Sequence, residues 1–185
     1  MKKDEIRRRI KAHKALLSES EREKAADSVF SILEKSAAFI MADKILMYHS
    51  LPDELSTIEF INKWHDRKHF FLPRVNGVDL EVLPYDRTSL QYGAFHIEEP
   101  SGDDIEEIDN IELIIVPAVA YDRRGNRVGR GKGYYDRLLS RTAATKVGVG
   151  YDFQLVDEID AEPHDVTMDI IITESGTITI KHTKH

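Results

Sequence analysis

The chain has 185 residues, of which 41% are hydrophobic and 32% charged, with a net charge of −7 and no cysteine. That length suits one domain with a substantial core, and no apolar run approaches the roughly 20 residues of a membrane-spanning helix. A disulfide framework, a thiolate metal site and a cysteine nucleophile are excluded, and the charged opening MKKDEIRRRIK lacks the apolar segment of a secretory signal. The expectation is a cytoplasmic, monomeric protein without a membrane partner. Residues 1–14 hold seven Lys/Arg against Asp4 and Glu5, a local +5 that leaves −12 for the remainder. So acidic a body repels extended polyanions, so nucleic acid is not expected as a partner. A compact basic element serving one small polyanion is.

In chain order, Ile6, Ile10, Ala12 and Leu16/Leu17 fall near helical spacing, with cations on the other faces. Ser18 and Ser20 each precede a glutamate by three residues (Glu21, Glu23), the capping-box pattern. A second helix is therefore predicted from near residue 20 through Val29, Phe30 and Leu33, and the helices of residues 1–36 should pack on an α/β core. Lys44–His49 reads as a strand, followed by the loop SLPDELST and a helix bearing Ile58, Ile61 and Trp64. His69–Leu72 is the next strand, stopped by Pro73, and Asp79–Leu83 follows the turn Asn76-Gly77. Pro84 to Asn110 is irregular and acidic, with one brief strand or turn. Then come a strand at Leu113–Val116, a glycine-rich loop, a helix from Tyr134 to about Thr142 and a strand at Lys146–Gly150. The end holds a strand at Met168–Thr173 and a hairpin through Glu174–Gly176 into Thr177–Ile180. This alternation predicts a single α/β domain over 1–185, with a mostly parallel, Rossmann-like sheet and helices on both faces. Ligands on such sheets lie beyond the carboxyl ends of the strands.

The most informative stretch is Pro117–Leu139, PAVAYDRRGNRVGRGKGYYDRLL. Gly125, Gly129, Gly131 and Gly133 fall within nine positions, accompanied by Arg127, Arg130, Lys132 and Arg137. Glycines let backbone N–H groups approach a ligand closely and cations neutralise its charge, which is a recipe for holding phosphate before a helix. It is not a Walker A loop, because Asn126 stands at the first glycine position and Gly133 where a Ser or Thr would hold a metal. Nor is it a dinucleotide fingerprint, since Gly129, Gly131 and Gly133 are spaced by two and two. Asp136 is then a candidate metal ligand.

These residues closely resemble the signature of the 5-formyltetrahydrofolate cyclo-ligase family, over VPAVAYD and GNRVGRGKGYYDRLL. Ala118 stands where that signature has glycine, Tyr121 where it has phenylalanine and Val128 where it has leucine. The resemblance extends in length and order over essentially the whole chain. It implies ATP-dependent cyclisation of 5-formyltetrahydrofolate to 5,10-methenyltetrahydrofolate, with release of ADP and phosphate and with Mg2+ as cofactor. It further implies that Lys3 and Arg7 contact ATP, together with Arg127, Val128, Gly129, Arg130, Gly131, Lys132, Gly133, Tyr134 and Tyr135. Lys3 and Arg7 share a helical face by their spacing of four, although Lys2, Arg8 and Arg9 offer other registers. Arg130 and Lys132 are implied as the catalytic cations. For the folate, the resemblance points to His49, Glu54 and Phe95, and to the loop residues Arg130, Gly131, Lys132, Gly133 and Tyr134. Leu51-Pro52-Asp53 replaces the family's glycine- or serine-rich turn before Glu54. Asp136 and Asp165 are implied as magnesium ligands, with Asp169 as the alternative to Asp165. Read without the resemblance, the same residues also admit a sensor domain that binds a phosphorylated metabolite, or a small RNA-binding protein using residues 1–14.

Overall fold

A run such as Leu113–Val116, LIIV, is apolar toward both sides and belongs inside a parallel sheet covered on each face. The computed structural model describes residues 1–86, 90–92 and 98–182, and there that run lies in such a sheet. The described helices are α1 (Lys3–Lys14), α2 (Glu19–Glu34), α3 (Ala37–Met41), α4 (Ile58–Trp64) and α5 (Tyr134–Leu139). The described strands are β1 (Lys44–Leu46), β2 (His69–Asn76), β3 (Asp79–Pro84), β4 (Leu90–Tyr92), β5 (Glu98–Pro100) and β6 (Leu113–Val116). They continue as β7 (Ala120–Tyr121), β8 (Arg127–Val128), β9 (Thr145–Val149), β10 (Ile170–Thr173) and β11 (Gly176–Thr179).

Seven strands form the main sheet in the order β11-β10-β9-β6-β1-β2-β3. The five from β10 to β2 are parallel, and β3 and β11 close the two edges as antiparallel hairpins. The mostly parallel sheet read from the sequence is therefore present. Alternate residues of each strand face opposite layers. Ile45, Leu113, Ile115, Val147 and Val149 meet Val29, Phe30, Leu33, Phe39 and Phe60 of α2, α3 and α4. Leu46, Ile114, Val116 and Ile171 meet Leu138 and Leu139 of α5 on the other face. Gly148 belongs to this second face: a Cβ there would fall inside the Tyr121 ring, whose hydroxyl donates to the Val116 carbonyl.

The capping box at Ser18 and Glu21 forms as read, with both reciprocal hydrogen bonds at 3.1 Å. α1 does not cover the sheet as α2 does. Its Ile6 and Ile10 pack on Ala120, Val128 and Ile159, against the β7–β8 hairpin. β2 runs through Pro73 to Asn76 instead of stopping there. β1 ends opposite Phe71, so beyond that point β2 pairs with β3 alone and a missing N–H is tolerated. β1 itself is shorter than expected, because Tyr48 leaves the ladder and its carbonyl accepts from the Thr57 hydroxyl at 2.7 Å. The glycine-rich stretch also differs, since its first half folds as the hairpin β7–β8, pairing Ala120 with Val128 and Tyr121 with Arg127. α5 ends at Leu139, with Ser140 as its C-cap.

From β1 the chain proceeds through β2 to β3 in one direction, and from β6 through β9 and β10 to β11 in the other. The strand order therefore reverses between β1 and β6. Chain leaving two such neighbours diverges and opens a crevice at their carboxyl ends.

Candidate active site

A cavity of about 940 Å³ occupies that crevice. Its walls include Tyr48, His49 and Glu54 from the segment after β1, Pro117 and Ala118 after β6, and residues of α1, the glycine loop and the segment 160–165.

The loop is delivered by the hairpin, and the hairpin is built on Asp122. This carboxylate is fully buried and accepts from Arg124 N, Asn126 N, Asn126 Nδ2 and Ile159 N, each at 3.0 Å. Gly125 turns with φ +87°, and its carbonyl accepts from Met168 N at 2.8 Å. A Cβ there would stand 2.9 Å from the Met168 carbonyl oxygen. Sequence reasoning did not single out Asp122, although an Asp three residues before Gly125-Asn126 is a turn signal, its side chain able to accept from the backbone two residues on.

Arg127 differs from its neighbours. Its side chain is only 5% exposed; Nη1 donates to Pro117 O at 2.9 Å, Nη2 lies 3.7 Å from Asp136 Oδ1, and the guanidinium stands 5.5 Å from the Tyr135 ring centroid. It ties the end of β6 to α5 beneath the loop, and Gly129 leaves room for it. Arg130 and Lys132 are exposed on the cavity wall. Among the residues expected to hold ATP, Val128 is the one that does not line the cavity: its side chain is buried against α1 and its carbonyl accepts from Val119 N at 2.7 Å.

Burial of Ile6 and Ile10 fixes the rotation of α1. Lys2, Lys3 and Arg7 line the cavity, whereas Arg8 and Arg9 are exposed outside it. Lys3 Nζ donates to Asp165 Oδ2 at 2.6 Å, and Arg7 Nε donates to Gly129 O at 2.8 Å.

On the opposite wall Glu54 is 12% exposed, accepts from Leu51 N at 2.9 Å and places Oε2 3.8 Å from Arg130. Burial pushes its carboxyl above the ordinary range, against the pull of the Leu51 amide and Arg130. His49 lines the same wall. Phe95 lies outside the described residues.

Asp136 and Asp165 both line the cavity. Asp136 Oδ1 accepts from Val166 N at 3.4 Å. Asp165 Oδ2 accepts from Lys3 and from Glu162 N, while its buried Oδ1 has no hydrogen-bond partner among the described residues. Burial raises the Asp165 carboxyl, but the hydrogen bonds from Lys3 and Glu162 N and the Lys3 charge prevail and hold it below the ordinary range. The alternative, Asp169, lies outside the cavity wall, where it accepts from Lys146 N at 2.8 Å and contacts His182 at 2.8 Å. Among the described residues no three His, Asp or Glu gather where a metal could sit, and no helix is long and apolar enough to cross a membrane.

A sequence model of the 5-formyltetrahydrofolate cyclo-ligase family matches residues 1–174. The chain belongs to this family. It is thereby an enzyme, a cyclo-ligase. It is 29% identical over 182 residues to the 5-formyltetrahydrofolate cyclo-ligase of Haemophilus influenzae, covering 92% of this chain and 97% of that one. It is 30% identical over 146 residues to the Escherichia coli K12 cyclo-ligase, with 74% and 80% covered. The solved structure of Aquifex aeolicus 5,10-methenyltetrahydrofolate synthetase superimposes with a TM-score of 0.89 at 31% identity, covering 99% of this chain and 95% of that one. In this cyclo-ligase cavity the loop cations and the Glu54 segment confront each other, and Arg130 reaches across to Asp53 at 3.0 Å. That cross-cavity contact was not anticipated from the sequence, because it joins residues 77 positions apart.

Proposed function

We propose that this chain cyclises 5-formyltetrahydrofolate to 5,10-methenyltetrahydrofolate, converting ATP to ADP and phosphate. The observation that carries the reading is the cavity in which a glycine loop bearing Arg130 and Lys132 faces the wall of His49 and Glu54. The family match over residues 1–174 supplies the chemistry.

A formyl oxygen on nitrogen is a poor leaving group. It attacks the terminal phosphorus of ATP, ADP departs, and the oxygen becomes part of a phosphate ester. The lone pair of N10 then attacks the formyl carbon, the carbon–oxygen bond breaks, phosphate leaves with the former formyl oxygen, and the N10 proton is released. Phosphoryl transfer asks for positioning and charge neutralisation more than for a covalent nucleophile. In this reading Arg130 and Lys132 neutralise the transferring group, Lys3 and Arg7 hold the nucleotide from α1, and the backbone of Gly129–Gly133 offers N–H donors. Val128 contributes only through its backbone, and Arg127 keeps the loop in place from below. Glu54 accepts from the N–H edge of the pterin beside His49, with Phe95 as the aromatic partner.

Asp136 and Asp165 suit magnesium, which takes hard carboxylate oxygens, and Asp165 Oδ1, buried without a hydrogen bond among the described residues and 3.6 Å from His164 Nε2, is an oxygen of that kind. These two residues would hold the ion, which when bound neutralises charge on the phosphates. We place the reaction in a cytoplasmic monomer.

The test is to add 5-formyltetrahydrofolate and magnesium-ATP and to follow methenyl absorbance together with phosphate release. One phosphate per methenyl product supports the reading. Nucleotide binding without product would refute it.

A further inference from the structure

Asp53 stands in the Leu51-Pro52-Asp53 turn that precedes Glu54, and its carboxylate receives Arg130. Arg130 Nη2 lies 3.0 and 3.1 Å from its two carboxylate oxygens and 3.8 Å from Glu54 Oε2. Among the described residues these contacts all run through one nitrogen, so Nη1 and Nε remain available to phosphate oxygens. The Asp53–Arg130 pair is about half exposed on each side, and pairs of that kind contribute little to folding stability. The turn is nevertheless heavily braced. Lys14, the last residue of α1, puts a side chain only 8% exposed within 4.0 Å of Asp53 Oδ2. Desolvation lowers the pKa of that lysine, with Asp53 the largest opposing influence. Arg22 donates to the carbonyls of both Pro52 and Lys14, and Glu54 N donates to Leu51 O at 3.0 Å. A costly buried cation and a clamped backbone are thus spent on holding one carboxylate against Arg130.

We propose that Asp53 is the positioning residue of Arg130: it grips the guanidinium by a single nitrogen and presents the remaining donors to the transferring phosphoryl group. Arg130 cannot sweep freely on its long side chain while Asp53 holds it, so less freedom is lost when the transition state forms. The same contact ties the turn carrying Glu54 to the phosphate loop, so the folate wall and the nucleotide wall keep a fixed separation. The inference rests on the reading of Arg130 as a catalytic cation.

Steady-state kinetics of Asp53→Ala, Asp53→Asn, Asp53→Glu, Arg130→Ala and the double variant Asp53→Ala/Arg130→Ala test it. Asp53→Ala and Asp53→Asn should lower kcat roughly tenfold to a hundredfold, with the KM for ATP changed much less. Asp53→Glu should recover part of the loss, and the double variant should be no worse than Arg130→Ala alone. The half-exposed pair predicts thermal midpoints close to that of the parent chain. An Asp53→Ala enzyme with unchanged kcat, or losses that multiply in the double variant, overturns the proposal while leaving Arg130 catalytic. Full turnover in Arg130→Ala removes the underlying reading and the proposal with it.

Discussion

Lys132 and Glu54 stand on opposing walls of the cavity and lend themselves to opposite tests. Lys132 is exposed on the loop, so its removal should leave the fold intact and act on the reaction. Lys132→Ala should cost roughly 2–4 kcal/mol of transition-state stabilisation, read as kcat/KM; near-parental turnover would remove it from the mechanism. Glu54 is largely buried, and burial raises its folded-state pKa. For such a group the stability contribution is complete below the unfolded-state pKa and is lost as pH rises through the folded one. Glu54→Gln should therefore raise the urea midpoint at neutral pH, with the gain fading toward pH 4. The same change weakens a charged hydrogen bond worth roughly 1.5–3 kcal/mol, so the KM for folate should rise about tenfold or more. A variant that is less stable at pH 7, or unchanged toward folate, contradicts this role. Charge and glycine spacing made Arg130, Lys132 and Asp136 legible in the sequence. They could not separate buried Arg127 from exposed Arg130, because burial depends on Asp136 and Pro117 arriving from other elements.

At the scale of elements, the site depends on a hairpin that pattern reading took for loop. Two-residue strands such as β7 and β8 carry too few positions to show a period, and Asp122 rather than hydrophobic alternation holds them together. Asp122→Ala would strand buried donors, including Ile159 N, and should destabilise the protein by roughly 3 kcal/mol or more. Urea unfolding reads this directly; an unchanged midpoint would show that the hairpin stands without its carboxylate. Gly148→Ala should likewise cost roughly 1–3 kcal/mol by overpacking against Tyr121. α1 was legible as a helix from Ile6 and Ile10, yet nothing local says that it packs on the hairpin rather than on the sheet. Its docking converts the Lys3 and Arg7 spacing into two contacts at the cavity, Asp165 and Gly129 O. The run past Pro73 escaped notice because whether a strand tolerates proline depends on where its neighbour ends.

The whole molecule adds what no segment contains. Alternating strands and helices announce a mostly parallel sheet, but strand order is settled by pairings such as Ile45 with Leu113, far apart in sequence. That pairing creates the reversal between β1 and β6 and hence the cavity. The cavity draws on α1, the turn after β1, the hairpin loop and the 160–165 segment, so a ligand bridging them should hold the fold together. A nucleotide at 100 times its Kd should add about 2.7 kcal/mol and raise Tm by about 5–10 °C for a chain of this size. Differential scanning with and without magnesium-ATP checks this, and an unmoved Tm at saturating nucleotide would mean that ATP does not engage the folded state.

The most direct measurement is a crystal structure with magnesium, a non-hydrolysable ATP analogue and 5-formyltetrahydrofolate. It should show the terminal phosphate against the backbone of Gly129–Gly133 within reach of Arg130 and Lys132, with the formyl oxygen lying between that phosphate and Glu54. A triphosphate lodged away from this loop, with the loop empty, would contradict the account.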